Sequence, residues 1–316
     1  MSAIIIDLDI SLLFAAGFLS FWLLNRVYKN TKHYKKRIEQ INKFKKVPDN
    51  LELVNLGSNY AFYGYNYEGL GVRAFNAALQ PQYLLYDFMI LKSLAQKCSP
   101  GCVIIISLPP AVFCFDGLSW QDEKYYLCLP WKYIPRYTRL KRIARNEFPL
   151  LFSPKDAQYL VRKIRPDVCS GSGEVHCEKE AAIRRDDWIR QFRLYGTTSD
   201  FFPADVVEQF DKTTAILYEM IYFCLEKGFR PVLVIPPVSG SLRKLLGQEF
   251  LRAALFDNIK KANTRNIPVL NYLGDEQFLH HSLYRNSDFL TIAGSRLFTQ
   301  RVVGDLRKLN CLPPTV

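Results

Sequence analysis

The sequence predicts an α/β protein whose core is a doubly wound parallel sheet covered by helices on both faces. Short continuous runs of Val, Ile and Leu, such as "CVIII" at 102–106 and "PVLVI" at 231–235, are typical of strands that are buried on both faces. These runs alternate along the chain with longer amphipathic stretches. Several of them end at Gly or Pro, which stop a strand and begin a turn.

The pattern predicts the bounds of the main elements. The predicted strands occupy residues 51–57, 72–79, 102–110, 231–237 and 267–273. The predicted helices occupy residues 82–97, 206–228, 250–266 and 291–309. Parallel strands joined by crossover helices give a flavodoxin-like three-layer domain, which we predict for residues 51–310.

The alternating pattern loosens between residues 118 and 203. We interpret this region as a helical insertion over the carboxyl edge of the sheet, with a mobile loop near Ser170–Gly173. The chain contains no internal repeat and no G-x-G-x-x-G, Walker A or C-x-x-C motif. The short motifs that would indicate a nucleotide or redox site are therefore absent from the sequence.

The N-terminus predicts a transmembrane helix, with the anchor at residues 1–28. Residues 10–27, "ISLLFAAGFLSFWLLNRV", carry no charge before Arg26, and about 20 apolar residues span a bilayer. A cleaved signal peptide is the alternative, but no basic stretch precedes the segment and no small-residue cleavage site follows it. The basic linker at residues 29–50 suits anionic head groups, and by the positive-inside rule it favours a cytoplasmic body.

Charge and cysteine content narrow the choice of partners. The net charge of +12 favours anionic partners such as phosphate-bearing lipids or polysaccharides. We do not predict a nucleic-acid partner, because the basic residues gather beside the predicted anchor. The eight cysteines are too sparse for a disulfide framework, and Cys169, His176 and Cys177 match no zinc spacing. We predict neither a metal nor a cofactor.

Four sequence blocks follow one another in a recognisable order. They are "NLGSNYAFYGYNY" at 55–67, "FNAALQPQYLLYDFMILK" at 75–92, "PVLVIPPVSG" at 231–240 and "LYRNSDFLTIAGSRLFTQRV" at 283–302. This order resembles the SGNH/GDSL hydrolase superfamily, especially its membrane-anchored envelope branch of esterase and acyltransferase-like proteins. The resemblance covers residues 51–110 and 229–305 and implies an SGNH-like domain outside the cell. It thus conflicts with the charge pattern, and the side of the membrane stays open.

The residues that the resemblance assigns to catalysis are missing from this chain. It places the nucleophile at Asn59 and an oxyanion-binding N–H at Pro81, but an amide is no nucleophile and proline has no N–H. Where the third block calls for an asparagine donor, the chain has Ser107. The closing acid and base positions hold Asn286 and Phe289, and Phe289 is bulky enough to fill the space of a histidine.

The predicted function is a non-catalytic binding or assembly role in envelope polysaccharide or glycolipid metabolism, at the membrane and through a protein partner. The alternative is an active esterase or O-acyltransferase with a displaced pair of Ser58 and His280 or His281. In the non-catalytic interpretation, Ser58 caps the next helix and both histidines are loop residues. The predicted cleft for a glycan or acyl ligand contains Ser58, Asn59, Tyr60, Gln80, Gln82, Ser107 and Pro237.

Overall fold

The computed structural model describes residues 2–114, 123–160, 174–192 and 202–313, without the side chains of residues 2–11, 123 and 174–176. The predicted loop at Ser170–Gly173 lies outside the described residues. So do Cys169 and the side chain of His176, which belong to the cysteine–histidine group considered above.

The chain divides into two compact units, and each is discontinuous in sequence. The first, which we call the helical unit, combines Met1–Lys46 with Trp120–Val168. The second, which we call the sheet unit, combines Val47–Ser119 with Cys169–Val316. The predicted insertion at 118–203 therefore contributes residues to both units.

The described residues of the sheet unit form a five-stranded parallel sheet in the order β2-β1-β3-β4-β5. Its strands are β1 (Leu51–Leu56), β2 (Ala74–Asn76), β3 (Cys98–Ser107), β4 (Arg230–Ile235) and β5 (Val269–Asn271). The predicted α/β fold with a parallel sheet is confirmed. Both β2 and β5 are shorter than predicted, since each is an edge strand that pairs on one side only.

Helices connect the strands and cover the sheet. In chain order, the α-helices of the described residues are α1 (Ser2–Asn30), α2 (Lys32–Asn42), α3 (Asn59–Gly64), α4 (Leu84–Leu94), α5 (Glu123–Cys128), α6 (Arg139–Glu147), α7 (Glu174–Phe192), α8 (Ala204–Glu226), α9 (Gly240–Leu245), α10 (Gln248–Leu251), α11 (Asp257–Ala262) and α12 (Ile292–Lys308). A π-helical turn at Arg252–Phe256 joins α10 to α11. The helices predicted at 82–97, 206–228 and 291–309 correspond to α4, α8 and α12.

Both faces of the sheet are buried, because successive strand residues point to opposite faces. On one face, Leu53, Val103 and Val232 pack in a single cluster with Phe298 and Val302 of α12. On the other face, the alternate strand residues are also fully buried, among them Val54, Ile104 and Leu233. The strands therefore appear in the sequence as unbroken apolar runs instead of alternating ones.

The helical unit contains α1, α2, α5 and α6. Tyr28, Tyr34 and Leu150 form its buried cluster. Part of the predicted basic linker is the helix α2, which begins after Thr31, and the Thr31 hydroxyl accepts a hydrogen bond from the Tyr34 N–H at 3.2 Å. No helix within the described ranges is both long enough and apolar enough to cross a membrane, so the predicted transmembrane helix is not found there.

Asp156 is hydrogen-bonded to both α1 and α2 of the helical unit. Its Oδ2 accepts a hydrogen bond from the Tyr28 hydroxyl at 2.6 Å and another from the Arg37 guanidinium at 2.8 Å. The His33 ring stacks on the Tyr159 ring with the centroids 3.7 Å apart. The end of α1 and the start of α2 are thus held by a segment that lies 128 positions beyond Tyr28.

Candidate functional site

The strand order reverses at β1, because its two neighbours, β2 and β3, lie on opposite sides of it. In a parallel sheet, such a reversal opens a crevice at the carboxyl ends of the central strands. Here those ends are Gly57 after β1 and Ser107 at the end of β3. The candidate site is therefore built around these two residues.

Gly57 allows the elements at the crevice to approach closely. Its φ of +132° is one that residues with a side chain rarely adopt. A Cβ atom on Gly57 would lie 2.8 Å from the Cβ of Ala61 and 2.9 Å from the Cβ of Ser107. The turn from β1 into α3 therefore requires glycine at this position.

Ser58 follows Gly57, and its side chain does not cap α3 as predicted. Instead, its Oγ accepts a hydrogen bond from the backbone N–H of Gln82 at 2.9 Å. The predicted capping role is wrong, because the loop between β2 and α4 brings another donor to the hydroxyl. The first backbone N–H after Pro81 is thus directed at Ser58 Oγ.

A buried carboxylate that the sequence analysis did not identify fixes this turn. Asp87 of α4 is buried, and its Oδ1 accepts a hydrogen bond from the Gly57 N–H at 2.7 Å. The same oxygen accepts a hydrogen bond from Gln82 Nε2, which also donates to the Gly57 carbonyl at 3.1 Å. A single acidic residue inside the otherwise apolar stretch "LLYDFMIL" is the sequence signal that could have identified it.

Three oxygen atoms around Gly57 are buried without a hydrogen-bond partner among the described residues. They are Asn59 Oδ1, Gln82 Oε1 and Ser107 Oγ. Buried polar atoms are nearly always paired, either within the protein or with water. Each of these oxygens therefore lacks a hydrogen-bond donor that the described residues do not supply.

The other predicted cleft residues lie after the neighbouring strands β2 and β4 or in α3. Gln80 is half-buried in the loop after β2, and Pro237 is buried in the loop after β4. Tyr60 lies in α3 and donates a hydrogen bond from its hydroxyl to Asp288 Oδ2 at 3.2 Å.

The closing block, residues 283–302, begins with a turn whose own side chains hold it. Asn286 Oδ1 accepts hydrogen bonds from the backbone N–H groups of Asp288 at 3.1 Å and of Phe289 at 2.8 Å. The Phe289 ring packs against the rings of Tyr60 and Tyr63, with centroids 5.4 Å apart in both pairs. Asn286, at the position that the resemblance assigns to the acid, thus has an amide that stabilises the turn. Phe289, at the position of the base, has an aromatic ring packed on α3.

The end of this turn also depends on a glycine. Thr291 caps α12, because its Oγ1 accepts a hydrogen bond from the Gly294 N–H at 3.1 Å. A Cβ atom on Gly294 would collide with the backbone carbonyl oxygen of Leu283. The helix α12 therefore begins in direct contact with the start of the closing block.

Asp288 is buried and forms an ion pair, with the partly exposed Arg184, that the sequence analysis did not identify. Its Oδ2 lies 2.9 Å from Nε of Arg184, and its Oδ1 accepts a hydrogen bond from Nη2 of Arg184 at 3.4 Å. The Arg184 guanidinium also lies over the Phe289 ring, 5.5 Å from its centroid. Nothing in the stretch "AAIRRDDWIRQF" of α7 distinguishes Arg184 from the arginines around it.

The protonation of this cluster follows from its burial. Burial raises the pKa of the Asp288 carboxyl, although Arg184 and Tyr60 both favour its charged form. Burial also raises the pKa of Tyr60 well above its ordinary value. For Arg184, burial acts to lower the pKa, but Asp288 and Tyr60 outweigh it and the pKa is raised. Tyr60 and Arg184 thus remain hydrogen-bond donors to Asp288.

The two histidines of the alternative pair lie in the loop between β5 and α12. His280 is exposed and His281 is half-buried. In the described part of the chain, no hydrogen bond joins Ser58 to either histidine, and the partner of Ser58 Oγ is the Gln82 N–H. The described residues also contain no group of three or more His, Cys, Asp or Glu that could hold a metal ion.

Comparison with known proteins does not assign the site. No protein-family model and no curated protein matches the chain. The site is therefore interpreted from its own residues, and the SGNH/GDSL resemblance stays a prediction.

Proposed function

We propose that the chain is a non-catalytic, SGNH-hydrolase-like protein that binds a glycan or acyl ligand during assembly of envelope polysaccharide or glycolipid. The observation that carries this proposal is the occupation of the closing block. Phe289, at the position that the resemblance assigns to the base, packs against Tyr60 and Tyr63, and Asn286 accepts hydrogen bonds within the turn. The envelope role rests on the sequence resemblance alone.

The surroundings of Ser58 support the loss of catalysis. A serine attacks a substrate when a neighbouring base accepts its proton. The polar contact of Ser58 Oγ is instead with an N–H donor, which occupies a lone pair of the hydroxyl and accepts no proton. Proline at residue 81 removes one candidate oxyanion donor, and a single such donor contributes roughly a hundredfold or more to the rate.

The surroundings of Gly57 support binding. Asn59 Oδ1 and Gln82 Oε1 are acceptors only, whereas Ser107 Oγ can also donate. A ligand that presents several hydroxyl groups matches these atoms, and aromatic rings such as Tyr60 and Tyr63 lie in the adjoining helix. Polyhydroxyl ligands next to aromatic rings are typical of sugar recognition sites that combine apolar faces with a few polar groups.

The helical unit is the part that attaches the chain to a membrane in this proposal. The described part of α1 exposes large apolar side chains, and α2 carries exposed Lys32 and Lys35. An apolar helix beside basic residues is typical of a segment that meets an anionic lipid surface. The exposed apolar residues of α1 are Leu12, Leu13, Phe14, Phe18, Leu19, Leu23, Leu24 and Val27.

Labelling of Ser58 tests the non-catalytic proposal. We expect no reaction of the folded chain with a fluorophosphonate probe and no hydrolysis of acetyl or aryl esters above that of the Ser58→Ala variant. Binding of a panel of neutral oligosaccharides and acylated glycans is measured on the folded wild-type chain, and we expect at least one member of the panel to bind.

Two outcomes would contradict the proposal in different ways. Ester hydrolysis that is lost in Ser58→Ala and in either His280→Ala or His281→Ala would establish the displaced catalytic pair instead. Failure of the folded chain to bind any glycan or acylated ligand would remove the binding role, although it would leave the absence of catalysis standing.

A further inference from the structure

Two cysteines are brought together at the amino end of β3, the opposite edge of the sheet from the candidate site. The stretch "CSPGC" occupies residues 98–102. In the pairing of β1 with β3, Leu51 lies opposite Cys98 whereas Leu53 lies opposite Val103. Two steps along β1 thus correspond to five steps along β3, and the extra residues form a loop that begins at Cys98 and ends at Cys102.

The loop is held by hydrogen bonds on both sides. The Ser99 hydroxyl donates to the Leu51 carbonyl at 2.7 Å, and the Gly101 N–H donates to the Gly228 carbonyl at 3.2 Å. Gly101 has a φ of +72°, which allows the chain to turn back into the strand. The positions of the two cysteines are therefore fixed by the sheet on either side of them.

The two thiols lie beside each other in this loop and differ in exposure. The Cys102 thiol donates a hydrogen bond to the Val103 carbonyl at 3.7 Å, and the Cys98 thiol donates one to the Leu94 carbonyl at 3.5 Å. The interaction between the two side chains lowers the pKa of Cys98 against the opposing effect of burial, and together with burial it raises the pKa of Cys102. Cys98 is partly exposed and Cys102 is buried, and neither forms a disulfide in this structure. One thiol is thus accessible and more readily ionised, and the other is shielded beside it.

We propose that Cys98 and Cys102 form a thiol–disulfide exchange site whose substrates are low-molecular-weight disulfides such as oxidised glutathione. An accessible, more readily ionised thiol next to a shielded second thiol is the arrangement that this chemistry requires. The proposal is independent of the function proposed above, because it concerns the other edge of the sheet.

The reaction balances in two steps. The Cys98 thiolate attacks one sulfur of the small disulfide, so a mixed disulfide forms on Cys98 and the first small thiol leaves with the proton that Cys98 lost. Cys102 then gives up its proton and attacks the Cys98 sulfur, and the second small thiol leaves with that proton. The two protein thiols are oxidised to one disulfide, and the small disulfide is reduced to two thiols.

A third thiol makes the pairing testable. Cys224 at the end of α8 is fully buried, and it lies close enough to Cys98 that the charge of Cys98 helps to raise the pKa of Cys224. A disulfide from Cys98 to Cys224 is therefore the competing product. Cys311 provides a control, because it is a partly exposed thiol that donates a hydrogen bond to the Leu309 carbonyl at 3.8 Å.

The experiment treats the full folded chain with oxidised glutathione, alkylates the remaining thiols and maps disulfides by mass spectrometry without reduction. In the wild-type chain we expect a peptide linked from Cys98 to Cys102, lighter than its reduced form by two hydrogen atoms. In Cys102→Ser we expect the glutathione adduct on Cys98 to accumulate, because no second thiol displaces it. In Cys98→Ser neither product forms, whereas Cys311→Ser behaves as the wild type.

Three results would overturn the proposal. One is a wild-type chain in which glutathione stays on Cys98 and no protein disulfide follows. Another is a Cys98–Cys224 linkage in place of the predicted one. The last is a Cys98 that reacts only after the chain is unfolded in urea, since reaction of the unfolded chain reflects sequence proximity and not the folded loop.

Discussion

Two turns at the carboxyl edge of the sheet differ in what their polar groups do. The first turn, residues 57–60, surrounds Gly57 with buried oxygens that have no partner among the described residues. The closing turn, residues 283–294, pairs Asp288 with Arg184 and Tyr60 and fills the remaining space with Phe289. The first turn therefore keeps oxygens that lack a donor among the described residues, whereas the carboxylate of the closing turn is paired with Arg184 and Tyr60.

The two turns share a backbone requirement. A Cβ atom cannot be placed on Gly57 or on Gly294 without a collision, so both glycines are fixed by the approach of neighbouring backbone or side chains. The polar side-chain groups around the two glycines can differ, because the collisions are with Cβ atoms at Gly57 and with a backbone carbonyl oxygen at Gly294. The comparison teaches that the backbone geometry of a turn and the chemistry of its polar side chains are set by different contacts.

The largest expected effect tests the backbone requirement. Gly294→Ala should lower the free energy of unfolding by about 3 kcal/mol, because the added methyl group meets a carbonyl oxygen that cannot move away. Gly304→Ala in the same helix is the matched control. A Cβ atom there meets nothing within 4 Å, so the substitution should stabilise the protein by up to about 1 kcal/mol. Urea denaturation measures both, and equal destabilisation would contradict the steric argument.

An intermediate effect tests the closure of the second turn. Asp288→Asn replaces one carboxylate oxygen with an amide NH2 group that faces the donors of Arg184 and Tyr60, and we expect the free energy of unfolding to fall by about 2 kcal/mol near neutral pH. Asp305→Asn on the outer face of α12 should cost well under about 1 kcal/mol, since its ion pairs are with exposed side chains. A similar loss in both variants would show that Asp288 is not specially placed.

The stability difference between the wild type and each of these two variants should change with pH in opposite directions. The pKa of Asp288 is raised from 3.8, so between 3.8 and its folded pKa the folded chain binds more protons than the unfolded chain. The wild type should therefore gain stability over Asp288→Asn as pH falls through that window. For Asp305, burial is outweighed by Lys308, Tyr272 and Arg301, and the pKa is lowered. Its contribution should be present above 3.8 and lost as pH falls below it.

The smallest expected effect tests the unpaired oxygens of the first turn. Ser107→Ala removes a buried hydroxyl without a partner, so the free energy of unfolding should stay unchanged or rise by about 1 kcal/mol. Ser239→Ala is the matched control in the loop after β4. Its Oγ accepts a hydrogen bond from the Leu242 N–H at 3.3 Å and caps α9, so its loss should cost about 1 kcal/mol. A Ser107→Ala variant as destabilised as Ser239→Ala would show that the Ser107 hydroxyl is paired in solution.

The sequence predicted the sheet wherever a strand is buried on both faces. The apolar runs of β1, β3 and β4 are long and end at Gly or Pro, and the helices α4, α8 and α12 have clear apolar spacing. The edge strands β2 and β5 were predicted too long, because an apolar run does not reveal how many of its residues find a hydrogen-bonded neighbour.

The site was harder to predict because its contacts join residues far apart in the chain. Arg184 and Asp288 are separated by 104 positions, and no local sequence pattern predicts their ion pair. Ser58 was expected to cap α3 from its local position, yet a donor 24 positions away reaches its hydroxyl. Asp87 was visible as one acidic residue in an apolar helix, but its partner, the Gly57 N–H, is set by the packing of α4 against β1.

The bond between Tyr28 and Asp156 bears on the order in which the chain acquires structure as it is synthesised. The helical unit takes its first residues from the N-terminus and its last from beyond β3, so the strands β1 to β3 leave the ribosome between the two parts. The helix α1 is thus made before β1 but reaches its final partners after it, when the 128 positions that separate Tyr28 from Asp156 have been added. Larger chains commonly fold domain by domain from the N-terminus. The helical unit cannot follow that order, because its second part is made after β1 to β3.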